Sequence, residues 1–198
     1  MFKGVTAILF AAVLVACAAE TPVTVGTWQL DGEASDITVI SIKNGDVAEV
    51  SRFESLSGSV SASGEARLSI NADSFESYVD IRNQRLRDIF FEVTQFPAIQ
   101  LTANLDPTMF EALSIGDNLE TELQLAVNLH GEVRTVYAPV RVIRNGADSM
   151  LVISSEAALI DTREFGLDEA VDALAAIAGL NGITPVFPVN AYLVFERD

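Results

Sequence analysis

Three neighbouring arginines, Arg82, Arg85 and Arg87, stand in a chain with 28 Asp and Glu against 12 Lys and Arg and a formal charge of −16. Beside them lies an apolar group, Leu86, Ile89, Phe90, Phe91 and Phe96. A guanidinium is a fork of fixed donors that fits a phosphate or a polar ring, and aromatic side chains cover a hydrocarbon tail. The same residues have a plainer use, with the arginines bridged to Asp80, Asp88 or Glu92 and the phenylalanines in the core. Groups for catalysis are scarce. His130 is the one histidine, and Lys43 is the one lysine beyond residue 3, so general bases are few. No pair of histidines or run of alternating acids has the spacing of a metal site, and no nucleophile elbow is present. The sequence therefore predicts no enzyme, no metal and no cofactor. His130, beside Gly131, sits on the polar face of its segment, where it can cap a turn or offer a donor at the mouth of a pocket. So acidic a surface repels phosphate backbones, and nucleic acid is not an expected partner.

These groups have to be positioned by β-structure. Short runs with period-two alternation, rich in Val, Ile, Leu and Phe, are separated by turn signals at Asn44-Gly45-Asp46, Gly58, Gly116-Asp117-Asn118, Gly131 and Asn145-Gly146. In the clearest, Leu119 to Leu129, the side chains of Leu119, Thr121, Leu123, Leu125, Val127 and Leu129 share one face and Glu120, Glu122, Gln124, Ala126 and Asn128 the other. Its neighbour places Val136, Ala138, Val140 and Val142 on a face, with Pro139 at an edge or bulge. Further strands are expected at 37–42, 47–56, 65–70, 77–81, 99–105, 150–159 and 186–195. Two segments break the pattern. Arg82 to Phe91 spaces Leu86, Ile89 and Phe90 as one face of a short helix. Asp168 to Ala178 reads as a helix capped by Asp168, with Val171, Leu174, Ala175 and Ala178 as its stripe and Gly179 as its stop. The class is all-β and antiparallel. Closing such a sheet removes its edges, so a barrel is favoured over a sandwich, and about eight strands enclose an interior that is either filled or wide enough for one slender ligand.

The amino end gives an address. Lys3 is followed by a nearly continuous apolar run from Val5 to Ala16, too short to span a bilayer that needs about twenty residues. Residues 1–16 read as a cleaved signal. Leu14-Val15-Ala16-Cys17 resembles the bacterial lipobox, which makes Cys17, the sole cysteine, the expected site of lipidation and a membrane anchor. Ala18 and Ala19 follow in place of aspartate, which implies the outer membrane, facing the periplasm. Residues 17–26 are then an acylated tether and residues 27–198 one domain.

Four stretches resemble the YceI-like family of periplasmic and secreted proteins. They are Trp28-Gln29-Leu30-Asp31 with Ser35 and Ile37, then Arg82 through Val93 with Phe96-Pro97, then Leu129-His130-Gly131 with Val133 and Val136, and finally Thr162 through Leu167. The second is the strongest. The resemblance implies a lipocalin-like extended antiparallel β-barrel of about eight strands with one or two short helices, and an isoprenoid such as a polyprenyl phosphate or quinone as the bound ligand. The chain departs from the family at Asn83, where an acid is frequent, and at Arg85, where a histidine is frequent. The expected ligand-binding residues are Arg82, Arg85, Leu86, Phe90, Phe91, Phe96, Leu123, Leu125, Val127, Leu129 and His130. The leading function is non-enzymatic binding or transport of an isoprenoid, other long-chain lipid or quinone. A second class is an envelope stress or interaction lipoprotein with a filled barrel. A third, an enzyme acting on lipid or quinone, requires His130 to face an acid. Monomer and homodimer both stay open.

Overall fold

A computed structural model describes residues 27–197, and the signal, Cys17 and the tether lie outside the described residues. The strands are β1 (Trp28–Lys43), β2 (Val47–Phe53), β3 (Leu56–Val60), β4 (Glu65–Asn71), β5 (Phe75–Glu76), β6 (Ala98–Asn104), β7 (Asn118–Leu129), β8 (Glu132–Arg144), β9 (Ser149–Ser154), β10 (Ala158–Asp161) and β11 (Val186–Arg197). The helices are α1 (Asp80–Arg85), α2 (Pro107–Glu111) and α3 (Asp168–Ile177). All pairings are antiparallel, and the first and last strands meet from Trp28 opposite Arg197 to Val39 opposite Val189. This ladder turns the sheet into a closed barrel of eight strands, β1, β3, β4, β6, β7, β8, β9 and β11.

The two long strands at the closure are each served by two shorter ones. β3 pairs with β1 at Trp28 and Gln29 while β2 pairs with it from Ile37 to Lys43. β9 and β10 divide β11 in the same way. This is why the expected single strands at 47–56 and 150–159 are each broken in two: the chain has to step from one half of a long neighbour to the other. The strand expected at 77–81 is absent, because the chain bends at Tyr78, with φ of 61°, into α1, and the Ser77 backbone N–H donates to the Asn83 side chain at 2.9 Å. At α3 the capping position falls to Leu167, whose side chain makes no capping hydrogen bond, and Asp168 is the first helical residue. Gly179, with φ of 67°, ends that helix in the left-handed conformation glycine tolerates. Pro139 lies where β8 has β7 on one side and β9 begins to pair only from Val140, so its missing N–H breaks no ladder.

The bend that lets β1 serve both neighbours is a bulge between Asp31 and Asp36. Asp31 Oδ1 accepts from the backbone N–H of Glu33 at 3.0 Å and of Ala34 at 3.1 Å. Ser35 Oγ donates to the Asp31 carbonyl at 2.6 Å and accepts from the Val194 N–H at 3.0 Å, standing in for a ladder carbonyl of β1. Gly32 is forced by space: a Cβ there would lie 2.3 Å from the Leu56 carbonyl oxygen. Gly32→Ala is expected to pry β1 from β3 at a cost of about 2 kcal/mol. Thermal unfolding followed by circular dichroism should show a drop of about 5 °C or more, and an unchanged midpoint would show that the bulge tolerates a side chain.

Candidate functional site

Alternation along the strands sends one face of each into the barrel, and in a filled barrel that face would be fully buried. Here Leu123 and Leu125 of β7 and Leu193 of β11 point inward yet are only partly buried. They face a cavity of about 710 Å³ that runs along the barrel. β7 lines it with Leu123, Leu125, Val127 and Leu129, and β8 with Val136, Ala138, Val140 and Val142. β11 adds Phe187, Val189, Ala191, Leu193 and Phe195. The wall is almost wholly hydrocarbon. A few hydroxyls such as Ser51 and Ser154 interrupt it, and the charged groups gather at the ends.

At one end α2 crosses the barrel, with Phe110 and the following Leu113 packed against a cluster of Trp28, Ala138, Val140, Val142 and Met150. The Arg197 guanidinium lies over the Trp28 ring at 4.6 Å and reaches Glu111 of α2 at 3.6 Å. At the opposite end the opening is framed by the tip of β1 and β2, by α1 and by the end of α3. Lys43 and Glu49 pair across β1 and β2, and Arg82 Nη1 of α1 reaches the same carboxylate at 2.7 Å. Bonding to Lys43 first and to Arg82 after it holds the Glu49 carboxyl below its ordinary range. The apolar frame of this mouth includes Val79 and Ile81 before and within α1 and Ile177 of α3, all three exposed while also lining the cavity.

α1 is fixed by Asn83, only 3 % exposed. Its Oδ1 accepts from the Ser77 N–H at 2.9 Å and from Ser77 Oγ at 2.6 Å, while its Nδ2 donates to Glu76 at 2.8 Å. An acid in this position could accept from Ser77 but would set a second carboxylate against Glu76. The amide, by contrast, holds the Glu76 carboxyl below its ordinary range, with the Tyr78 N–H as a second donor. After α1 the chain makes a π-helical turn over Leu86–Phe90. That turn delivers Phe90 and Phe91 to a cluster with Phe53 and Phe75 whose ring centroids lie 4.9 to 5.8 Å apart.

Of the residues expected to meet a ligand, the structure brings together Arg82, Arg85, Leu86, Phe90 and Phe91 with the four from β7, all on the cavity wall. Phe96 and His130 lie elsewhere. They stack on each other with ring centroids 4.2 Å apart at the turn between β7 and β8. His130 Nε2 is 2.6 Å from Glu92 Oε2, and neither residue lines the cavity. His130 thus does face an acid, but at a turn that staples the segment after α1 to the barrel, away from the cavity. The arginines also bridge differently from the plain expectation. Arg82 takes Glu49, Arg87 takes Asp73 at 3.0 Å, and Arg85 takes no partner among the described residues. Trp28, read only as part of the opening strand, and Lys43, read only as the lone lysine, were not assigned to the site, nor were Glu49 and Phe110, because their place there follows from strand pairing and helix packing and not from local spacing. Among the described residues no cluster of His, Cys, Asp or Glu could hold a metal, and no helix is long and apolar enough to cross a membrane.

Closure, the hollow interior and the aromatic cluster under α1 define a lipocalin-like barrel built around a cavity. The chain belongs to the YceI-like domain family, whose model matches residues 28–195. A polyisoprenoid-binding domain from Saccharophagus degradans, implicated in plant cell wall breakdown, superposes with a TM-score of 0.84 at 30 % identity, over 86 % of this chain and 98 % of that one. BcnA of Burkholderia cenocepacia shares the fold, with a TM-score of 0.62 at 20 % identity over 83 % of this chain and 98 % of that one. Among curated proteins, none matches the sequence.

The depressed Glu49 carboxyl gives a pH signature. Its contribution is fully present above the ordinary carboxylate range and is lost as pH falls through the lowered value in the folded state. Glu49→Gln should therefore be less stable than wild type at pH 7, with the difference shrinking below about pH 4 in an acid titration of unfolding. A difference that stays constant across that range would show that the carboxylate is not coupled to folding.

Proposed function

We propose that the protein binds and carries an isoprenoid or similar long-chain lipid in the bacterial envelope, without catalysing a reaction. The observation that carries this reading is the continuous, largely apolar cavity of about 710 Å³ with its charged groups confined to the ends. Water in such a space gains few hydrogen bonds, whereas a branched hydrocarbon that fills it returns about 25 cal/mol for each Å² withdrawn from water. The tail then supplies most of the affinity and the end groups supply orientation. The resemblance to a polyisoprenoid-binding domain at 30 % identity supports the class of tail. The hollow interior favours this reading over a filled barrel that acts only through its surface.

Native mass spectrometry of protein purified gently from the producing cells tests this. The expected spectrum contains a non-covalent lipid adduct, and Leu125→Trp, which places a bulky ring in the middle of the cavity, should lower its occupancy about tenfold or more. A wild-type spectrum free of adduct under gentle extraction would overturn the reading.

The envelope address rests on the amino-terminal sequence, the apolar run to Ala16 and the Leu14-Val15-Ala16-Cys17 pattern. Acylation at Cys17 would keep the carrier at the surface that holds its ligand. Metabolic labelling with a fatty acid is expected to mark the wild type in the membrane fraction, and Cys17→Ser is expected to lose the label and move to the soluble fraction. Labelling that survives the substitution would place the anchor elsewhere.

A further inference from the structure

The charge at the mouth is unbalanced in a chain that has acids to spare. Lys43, Arg82 and Arg85 all line the cavity there, and the one carboxylate that pairs with any of them is Glu49, bound by Lys43 and Arg82 together. Arg85 lies three residues after Arg82 on α1, so the two guanidiniums share a helix face one turn apart, an arrangement that repels unless an anion lies between. Asp80 and Asp88 of the same segment are exposed, and neither pairs with Arg85. Three cations against one carboxylate leave an excess close to two positive charges, partly shielded from water and placed where the head of a bound chain must rest. A neutral quinone ring would accept hydrogen bonds but leave that charge uncompensated. A phosphate ester at neutral pH carries a charge of about −2 for a monoester and offers acceptors to several donors at once.

We propose that the mouth is an anion site, with Arg85 as the specificity-determining residue, and that it selects a prenyl chain ended by a phosphate ester over one ended by a neutral head. This rests on the carrier reading above and adds the chemistry of the head. Trp28 lines the far end of the cavity and is the one tryptophan in the chain, so its fluorescence reports a tail that fills the barrel.

The test titrates the full chain with geranylgeranyl phosphate, with geranylgeraniol, which has the same tail and a neutral head, with palmitate and with inorganic phosphate. Wild type is expected to bind the prenyl phosphate about tenfold or more tightly than the alcohol, since hydrogen bonds to charged groups carry that much. Raising the salt concentration should narrow the ratio. In Arg85→Gln the ratio should fall toward one, whereas Arg134→Gln, on β8 outside the cavity lining and paired with Glu132, should keep it. Equal affinities for phosphate and alcohol in wild type would overturn the inference whether or not any variant folds, and would leave the carrier reading standing. A preference for palmitate over the prenyl phosphate would overturn it in favour of a carboxylate head. Inorganic phosphate binding as tightly as the prenyl phosphate would overturn the lipid source of the anion. If none of the apolar ligands binds, the carrier reading fails and the inference with it.

Discussion

Pairing between the first and last strands is the interaction on which everything else depends. A core of ordinary density holds a protein together by contacts across its interior, but a hollow barrel gives up many of those contacts along its axis. What replaces them is an unbroken ring of backbone hydrogen bonds, completed only where β1 meets β11. Such a ring keeps its circumference without packed contacts across the axis, so the apolar face of each strand can stay turned toward the cavity. The price of that arrangement is geometric precision at the seam, where Asp31, Gly32 and Ser35 bend β1 so that one strand can serve two neighbours on the same side.

A ring has two open ends, and each is finished by a different kind of interaction. At one, aromatic and aliphatic packing between α2 and the Trp28 cluster closes the opening, with the Arg197 guanidinium laid on the indole. At the other, α1 is held to the tip of β1 and β2 mainly through charge, by Arg82 on Glu49, and is fixed from behind by Asn83. Packed apolar contacts resist opening under most conditions, whereas ion pairs weaken with salt and acid. The molecule therefore has one end built to stay shut and one whose strength depends on its surroundings.

Much of the wall was legible in the sequence, because period-two alternation is a direct record of an inside and an outside. Leu123, Leu125, Val127 and Leu129 could be assigned to the interior from their spacing alone. That the interior is hollow could not be read, since inward residues alternate identically in a filled barrel, and the difference lies in how far apart opposite walls stand. Strand breaks at Glu54 and Ser155 were hidden too, because each follows from the length of a neighbouring strand rather than from a local turn signal. At the site, proximity in sequence was a good guide to the apolar residues of the segment from Leu86 to Phe91 and a poor one to charge pairing. The partners of Arg82 and Arg87 are Glu49 and Asp73, brought in by the sheet. His130 and Phe96 looked like neighbours of a pocket because they share polar and aromatic chemistry with one, yet together they fasten a turn.

The direction of β1 has a consequence for how the domain is presented. Trp28 and Arg197 stand opposite each other at the α2 end, so the chain both enters and leaves the barrel there, while the mouth lies beyond Lys43, as much as about 50 Å away along a strand of 16 residues. Whatever precedes Trp28 in the chain therefore joins the barrel at its α2 end, and so does whatever follows Arg197, while the mouth opens at the other end, clear of both points of attachment.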